Sequence, residues 1–385
     1  MQYDYKQGLL NSIYKATMLS AFAVSISVCS GYGMITCVIA AAFAAVIYVI
    51  KPDASLLPLF LGYCINLTAI RYTGLGAAMI SMMLAGAFIL LSGKVSSLKK
   101  GIFGPVFLPA VMLSLALVIT VINTNEYFGI EASGKNVVEM LTNYHSLGFH
   151  PNWRGILYGT IVMVVMITFP RKFKKGSKII SPYFWAVIIT YLLNFALVPK
   201  GTVETFEMIK EPEFVIYSIK NMTDIDNNGI STLLYILLFA FSLAVCYILA
   251  LGEEEKNNKD YLYTGAAGIL TPALFGYALP GKVSRKSEDM LMGIVSAVII
   301  FAFAFLTKCF TRLPVSSCAV VMIVGAWQQI KWGKIKDAFS GAVNIITFFA
   351  VIILSLLVNI AAGVLAGAFI CSVCEKIREM KKEEN

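Results

Sequence analysis

The sequence predicts an all-α, polytopic membrane protein of about fourteen transmembrane segments, and three observations carry that prediction. Of its 385 residues 58% are hydrophobic and only 14% charged, whereas a soluble domain carries about 25% charged residues. Mean hydropathy is +0.77. The apolar residues lie in runs, and since a spanning helix needs about 20 of them the chain holds material for more than ten crossings. The formal charge of +9 is no nucleic-acid footprint. Lys and Arg cluster in short runs beside apolar segments, as cytoplasmic loops do under the positive-inside rule, so membrane lipid is the expected surrounding and no nucleic acid a partner.

Taken in order, residues 1–7 form a polar head before an apolar region that reaches Ile50 and holds two helices, broken at Ser30-Gly31-Tyr32-Gly33. Lys51 to Pro58 is a Pro-interrupted polar insertion, and a short third segment follows over 59–67. A fourth, about 75–91, ends in Lys94, Lys99 and Lys100, and a fifth occupies about 107–122, so the turn between them is cytoplasmic. Residues 123–152 turn polar, with Glu126, Glu131, Glu139 and both histidines, His145 and His150. This loop belongs outside, and without Cys or carboxylate at ligand spacing it is no metal site. The sixth segment, 156–169, ends in the strongest basic run, Pro170-Arg171-Lys172-Phe173-Lys174-Lys175, which places that end inside. The seventh, 182–198, leads to an acidic extracellular connector with a short amphipathic helix near 203–210. Its Asp224-Ile225-Asp226-Asn227-Asn228-Gly229 lacks the later Glu of a calcium loop and reads as a turn.

The eighth segment spans about 232–251, a ninth lies within 261–275, a short tenth follows, and the eleventh reaches Leu306. The twelfth is 313–327. Residues 328–337, with Lys331, Trp332, Lys334 and Lys336, read as an amphipathic helix at the cytoplasmic interface. Segments over 339–358 and 360–373 close the set, before a tail made cytoplasmic by its lysines. Eight cysteines lie mostly inside apolar runs, and Cys371 and Cys374, a CxxC without a second pair, are packing residues. Neither disulfides nor a metal or other cofactor is expected. No signal-peptide cleavage pattern is present, because the apolar sequence after Lys15 continues into the next segments.

The stretch Ala278-Leu279-Pro280-Gly281-Lys282-Val283-Ser284-Arg285 organises the chain, for it puts a helix breaker, a flexible residue and a cation between two apolar runs. Non-helical backbone survives at membrane depth only where protein or water surrounds it. A Pro-Gly break can start a half-helix whose free N–H groups and positive dipole end face an anion, with Arg285 adding to the field. The alternative is a surface loop, with Lys282, Arg285 and Lys286 in water beside Glu288 and Asp289. Position favours the anion site. Pro58 lies 51 residues after Gln7 and Pro280 lies 51 after Gly229, so two broken segments, third and tenth, occupy matching places in two sets of seven. An odd number of crossings inverts the second set. Matched broken segments in inverted repeats point to a transporter's midplane site. The domain reading is therefore a first repeat over 1–199, the connector over 200–228, a second repeat over 229–375 and the tail over 376–385. Integral placement in the plasma (inner) membrane with both termini cytoplasmic is expected.

The second half resembles the sulfate permease (SulP) anion transporters, the prestin-containing family. Gly265-Ala266-Ala267-Gly268-Ile269, Leu274-Phe275-Gly276 and Gly281-Lys282-Val283-Ser284-Arg285 look like that family's ninth segment and tenth-segment start. Leu313-Pro314, Ile323-Val324-Gly325-Ala326-Trp327 and Gly363-Val364-Leu365-Ala366-Gly367 follow in the family's order, and the first half matches chiefly by segment order and by residues 152–170. The resemblance implies a core domain and a gate domain, a homodimer, and a small anion (sulfate, bicarbonate, chloride or carboxylate) held between half-helices and moved by alternating access. Carried over, Val283, Ser284 and Arg285 line the site from the tenth segment, and Pro58, Leu59 and Phe60 from the third.

The chain departs from the family pattern in several places. The eighth segment has no acid around Phe241-Ser242-Leu243, so proton or sodium coupling through such a carboxylate is not expected. The Pro-Gln pair of the first segment is missing near residues 18–21, and Asn359 stands where many members have an acid in the thirteenth. Most members end in a soluble STAS domain, and this sequence stops at Asn385, which leaves such regulation absent or supplied by a separate chain. The competing reading keeps the fold and makes the chain a nucleobase- or ascorbate-type permease, but such permeases use glutamates in segments eight and ten, where only Glu288 is near. An intramembrane enzyme is not expected, because Ser284 has no His partner.

Overall fold

The computed structural model describes residues 5–47, 57–92, 104–130, 134, 137–146, 151–173, 176–197, 229–252, 265–266, 268–269, 287–306 and 312–383. Fourteen α-helices run through these residues: α1 (Tyr5–Ser30), α2 (Met34–Ile47), α3 (Leu57–Ser92), α4 (Gly104–Ile122), α5 (Thr124–Phe128), α6 (Val137–Ser146), α7 (Trp153–Lys172), α8 (Pro182–Leu197), α9 (Gly229–Gly252), α10 (Ser287–Leu306), α11 (Val315–Gln328), α12 (Trp332–Ile335), α13 (Ala342–Leu357) and α14 (Ile360–Glu383). Among the described residues four helical stretches are long and apolar enough to cross a membrane, Gly8–Ser30, Leu59–Ser92, Trp153–Lys172 and Ile230–Leu249, and six shorter apolar helices accompany them. The connector over 200–228, with its calcium-loop-like turn, and the segment 278–285 lie outside the described residues.

Helix ends follow local chemistry. α1 stops where Gly31 takes a left-handed φ of 77° and its N–H bonds the Ser27 carbonyl at 3.0 Å. Such a φ is inexpensive only for glycine. The third and fourth segments are joined as α3, and their boundary is a bend at Gly74, with φ 81° and ψ 169°. The stretch 123–152 is not one loop: α5 ends at left-handed Gly129, and α6 follows. Asn152 caps α7, its Oδ1 accepting from the N–H groups of Arg154 and Gly155 at 3.1 and 3.4 Å. Pro182 opens α8, where its missing N–H costs nothing. The expected amphipathic helix over 328–337 is instead the four-residue α12 followed by a 3-10 turn over Lys336–Phe339.

Close packing comes from small residues, which let backbones approach where lipid leaves no hydrophobic drive between helices. A Cβ on Gly86 of α3 would stand 2.8 Å from the Gly265 carbonyl oxygen, and one on Gly265 would stand 2.6 Å from that of Gly86. Gly265 therefore lies backbone to backbone on Gly86 of α3. On α14, Gly363 abuts Ser355 and Val351, and Gly367 meets Val351 and Phe107. Hydroxyls in the helices mostly return to the preceding turn: Thr17, Ser30, Thr68, Ser81, Ser114, Thr120 and Thr190 each bond the carbonyl four residues back, which satisfies them where water is absent.

Packing joins α3 to α9 and, separately, joins α1, α2 and α10 through the α2–α10, α1–α2 and α1–α10 contacts; α4, α7, α8, α11, α13 and α14 form a further set through α13–α14, α4–α13, α7–α11, α7–α8, α4–α11 and α4–α14. α3 lies against α4 and α14 and α9 against α14, while α1 lies against α3, α8 and α11. Of its most apolar stretch 83% is buried, against 28% for α7, so α1 runs through the middle and α7 presents its surface to lipid.

Candidate functional site

The start of α3 sits where α1, α8 and α11 converge. Leu59 and Phe60 are fully buried. The Phe60 ring meets Phe22 of α1 edge-on, with centroids 5.6 Å apart, and Phe22 in turn leans on Tyr183 of α8 at 4.8 Å. Each such pair is worth about 0.5–1.5 kcal/mol beyond its buried area. α11 closes the cluster through Gly325, where an added Cβ would stand 2.9 Å from Phe60 Cζ and 3.1 Å from Phe22 Cε1. Only a residue without a side chain lets α11 come so near. Tyr183 is held by donating its O–H to Gln328 Oε1 of α11 at 2.6 Å. Three rings from three helices, with no charged side chain among them, thus surround the beginning of the third segment.

Of the six residues expected to line a site, Leu59 and Phe60 are placed together here, on consecutive positions of one helix. Pro58 is in the first turn of that helix. Val283, Ser284 and Arg285 lie outside the described residues, as does Pro280, and α10 begins at Ser287 just beyond them. α9, the eighth segment, carries no carboxylate; it packs on α3 through Tyr72, whose ring lies 5.6 Å from Tyr235 and 5.9 Å from Phe239. Among the described residues no group of three His, Cys, Asp or Glu could hold a metal. Asn359 falls between α13 and α14, and its Oδ1 accepts the Ala362 N–H at 2.8 Å, so it caps α14 instead of facing a cavity.

A second polar layer, further along α3, was not foreseen. Tyr63 donates to Asn123 Oδ1 at 2.7 Å, and Tyr32 to Asn66 Oδ1 at 3.1 Å. Arg71 donates to the Met140 thioether at 2.9 Å and to the Ile122 carbonyl at 3.5 Å, a cation at the C-terminal end of α4 where the helix dipole favours it. The available signal was that Arg71 is the only charged residue in the 36 residues of α3. Trp327 of α11 is likewise tied to α4, through Nε1 to Thr120 Oγ1 at 2.9 Å, and stacks on the exposed Trp332 at 6.1 Å.

No curated protein matches the sequence. The fold is similar to the transmembrane domain of a cyanobacterium bicarbonate transporter, BicA, at a TM-score of 0.66 and 14% identity over 94% of this chain and 98% of that one. It is also similar to the murine Solute Carrier 26 family member A9 anion transporter in the inward-facing state, at 0.71 and 11% over 98% of this chain and 69% of that one. A further structure of SLC26A9 gives 0.61 and 13%, covering 66% of its chain. At these identities the likeness is one of fold. The model of the sulfate permease family matches residues 1–364, nearly the whole chain, and this helical membrane protein therefore belongs to the sulfate permease family.

Proposed function

We infer that the chain is a secondary transporter or exchanger of small anions, working by alternating access. Family membership supplies the class, and the structural relatives are described as a bicarbonate transporter and an anion transporter. The observation that carries the reading to a site is the position of Leu59 and Phe60, buried at the start of α3 where α1, α8 and α11 converge. The anion sits at this N-terminus, where free N–H groups and the dipole offer positive potential. From the opposite repeat Val283, Ser284 and Arg285 face Pro58, Leu59 and Phe60, and Arg285 supplies the charge. In this reading α1, α2, α3, α9 and α10 make up the core that carries the site, and α4, α7, α8, α11, α13 and α14 the gate.

In this reading the two sets of seven segments are inverted repeats joined by the 200–228 connector. Both termini are cytoplasmic, the protein is a homodimer in the plasma (inner) membrane, and it catalyses no covalent chemistry. The anion is of the sulfate, bicarbonate, chloride or carboxylate class. A proteoliposome panel of labelled anions, with and without opposing chloride, tests this. One of these anions should accumulate, and Arg285→Gln should cut its uptake more than about tenfold, as expected from losing a buried charge contact of about 1.5–3 kcal/mol, while the protein still elutes as a folded species. Uptake of none of them, or full uptake by the folded variant, would defeat the proposal.

A further inference from the structure

Past the end of α11 the chain turns along the rim of the bundle, and residues 328–340 carry Lys331, Lys334 and Lys336 against one acid, Asp337, a net charge of +2. The three lysines are exposed. α12 and the 3-10 turn pack on α4, and the turn also on α13, yet neither of those helices nor the preceding α11 contains a charged residue. Whatever balances these cations beyond Asp337 comes from outside those helices. Two large rings accompany the lysines. Trp332 is 58% exposed and Phe339 57%, and each is pinned from within: Trp332 stacks on Trp327 at 6.1 Å, and Phe339 tilts against Phe348 of α13 at 5.9 Å. Ile330 is buried and Ile335 packs against the core, so the element is held on its inner side and basic and aromatic on its outer one.

Depth and side follow from the neighbours. On α13 the exposed side chains of Val343, Ile346, Phe349, Ile353 and Leu357 recur at three- and four-residue spacing on one face, opposite the buried Thr347, Val351 and Ser355. In a membrane protein such an outward apolar face meets lipid. It begins at Val343, four residues after Phe339, so the lysines stand where acyl chains give way to headgroups, the level at which Trp rings are enriched. The side is set by Tyr183 at the start of α8, whose O–H reaches Gln328 at the end of α11 at 2.6 Å. α8 follows the basic run over 170–175, which the positive-inside rule puts in the cytoplasm, and α12 lies on the same side. The leaflet there is the one whose anionic phospholipids attract basic segments.

We propose that α12 and its 3-10 turn form a docking surface for anionic phospholipid of the cytoplasmic leaflet, with Lys331, Lys334 and Lys336 on the headgroup phosphates and Trp332 and Phe339 at the acyl boundary. Lipid suits this surface better than a second copy of the chain, because a two-fold contact would bring the same cations face to face. The rings also continue the lipid-facing side of α13. Lipid held here presses α12 onto α4, beside the bond from Trp327 Nε1 to Thr120 Oγ1 at 2.9 Å, and so ties α4, α11 and α13 to one leaflet. Such docking is independent of anion carriage and is read without a transport assay.

The test is tryptophan quenching in the full chain reconstituted into phosphatidylcholine nanodiscs, with brominated phosphatidylglycerol compared with brominated phosphatidylcholine at equal mole fraction. The anionic lipid should quench more, and Trp332→Phe, which keeps a ring but removes the reporter, should take that excess away. Each of Lys331→Gln, Lys334→Gln and Lys336→Gln should weaken the apparent affinity for phosphatidylglycerol about fivefold, the equivalent of about 1 kcal/mol per lysine, and the triple variant should lose the excess. These side chains are exposed, so the variants should elute as the parent does. Arg171→Gln with Lys172→Gln and Lys178→Gln removes three exposed cations of the α7–α8 turn on the same side, and should leave the excess in place. No excess in the parent, an excess that survives Trp332→Phe or the triple lysine variant, or an equal loss in the α7–α8 control would overturn the docking surface. A lysine variant that changes the oligomeric mass in detergent and leaves quenching unaltered would give the surface to a second copy instead.

Discussion

Gly325→Ala tests the packing on which the candidate site depends, because two opposed effects of known size decide its sign. Alanine is favoured over glycine inside a helix by about 0.8–1 kcal/mol, so a position with room would be stabilised. Here the new methyl group would come 2.9 Å from Phe60 Cζ and 3.1 and 3.2 Å from Phe22 Cε1 and Cζ, against about 3.5–4.0 Å for carbon atoms at optimal contact. Either the rings or α11 must yield by about half an ångström or more. Both rings are fully buried and lock each other edge-on, so neither is a free end that can swing away. Overpacking of this kind costs about 1–3 kcal/mol, which leaves a net loss of up to about 2 kcal/mol, or up to about thirtyfold in a two-state equilibrium. The strain weighs on the conformer in which α11 lies against Phe22 and Phe60. The assays are thermal unfolding in detergent and initial uptake in proteoliposomes, and both should fall. A variant that is stabilised by about 1 kcal/mol and transports normally would show that the three helices are not in hard contact, and the convergence argument would fail with it.

Other expectations follow from the same geometry. Leu59→Trp puts a larger side chain at a fully buried position at the start of α3, and uptake should be abolished while the expressed protein remains membrane-inserted; unaltered substrate affinity would place the anion elsewhere. Because α9 carries no carboxylate, an inward proton gradient should leave the initial rate within about twofold, and strong acceleration would reveal a proton carrier in another segment, measured by uptake at matched inner and outer pH and after an acid jump.

Much of the helix plan was readable along the chain. The break at residues 30–33, the seventh segment and the eighth segment all appear within a few residues of expectation, since apolar runs and glycine or proline stops are local properties. The boundary between the third and fourth segments was also visible, but its form was not. Nothing local says that Gly74 bends one helix instead of ending it. Asn359, which stands where many family members carry an acid, illustrates the same limit, for its use as the cap of α14 is seen only in the fold. The sequence pointed to Leu59 and Phe60 through Pro58, yet the residues that complete their surroundings, Phe22, Tyr183 and Gly325, come from helices far away in sequence and carry no signal other than being apolar or small.

Composition and run length determine that this is a helical membrane protein, because transfer into lipid acts on each segment separately and needs no partner. Which helices share a face is a different matter. The contact of Gly325 with two phenylalanine rings, the backbone approach of Gly86 to Gly265, and the contact of Gly155 on α7 with Ser316 on α11 exist only once the segments pack. Shape complementarity over a few ångströms, between residues hundreds of positions apart, decides them.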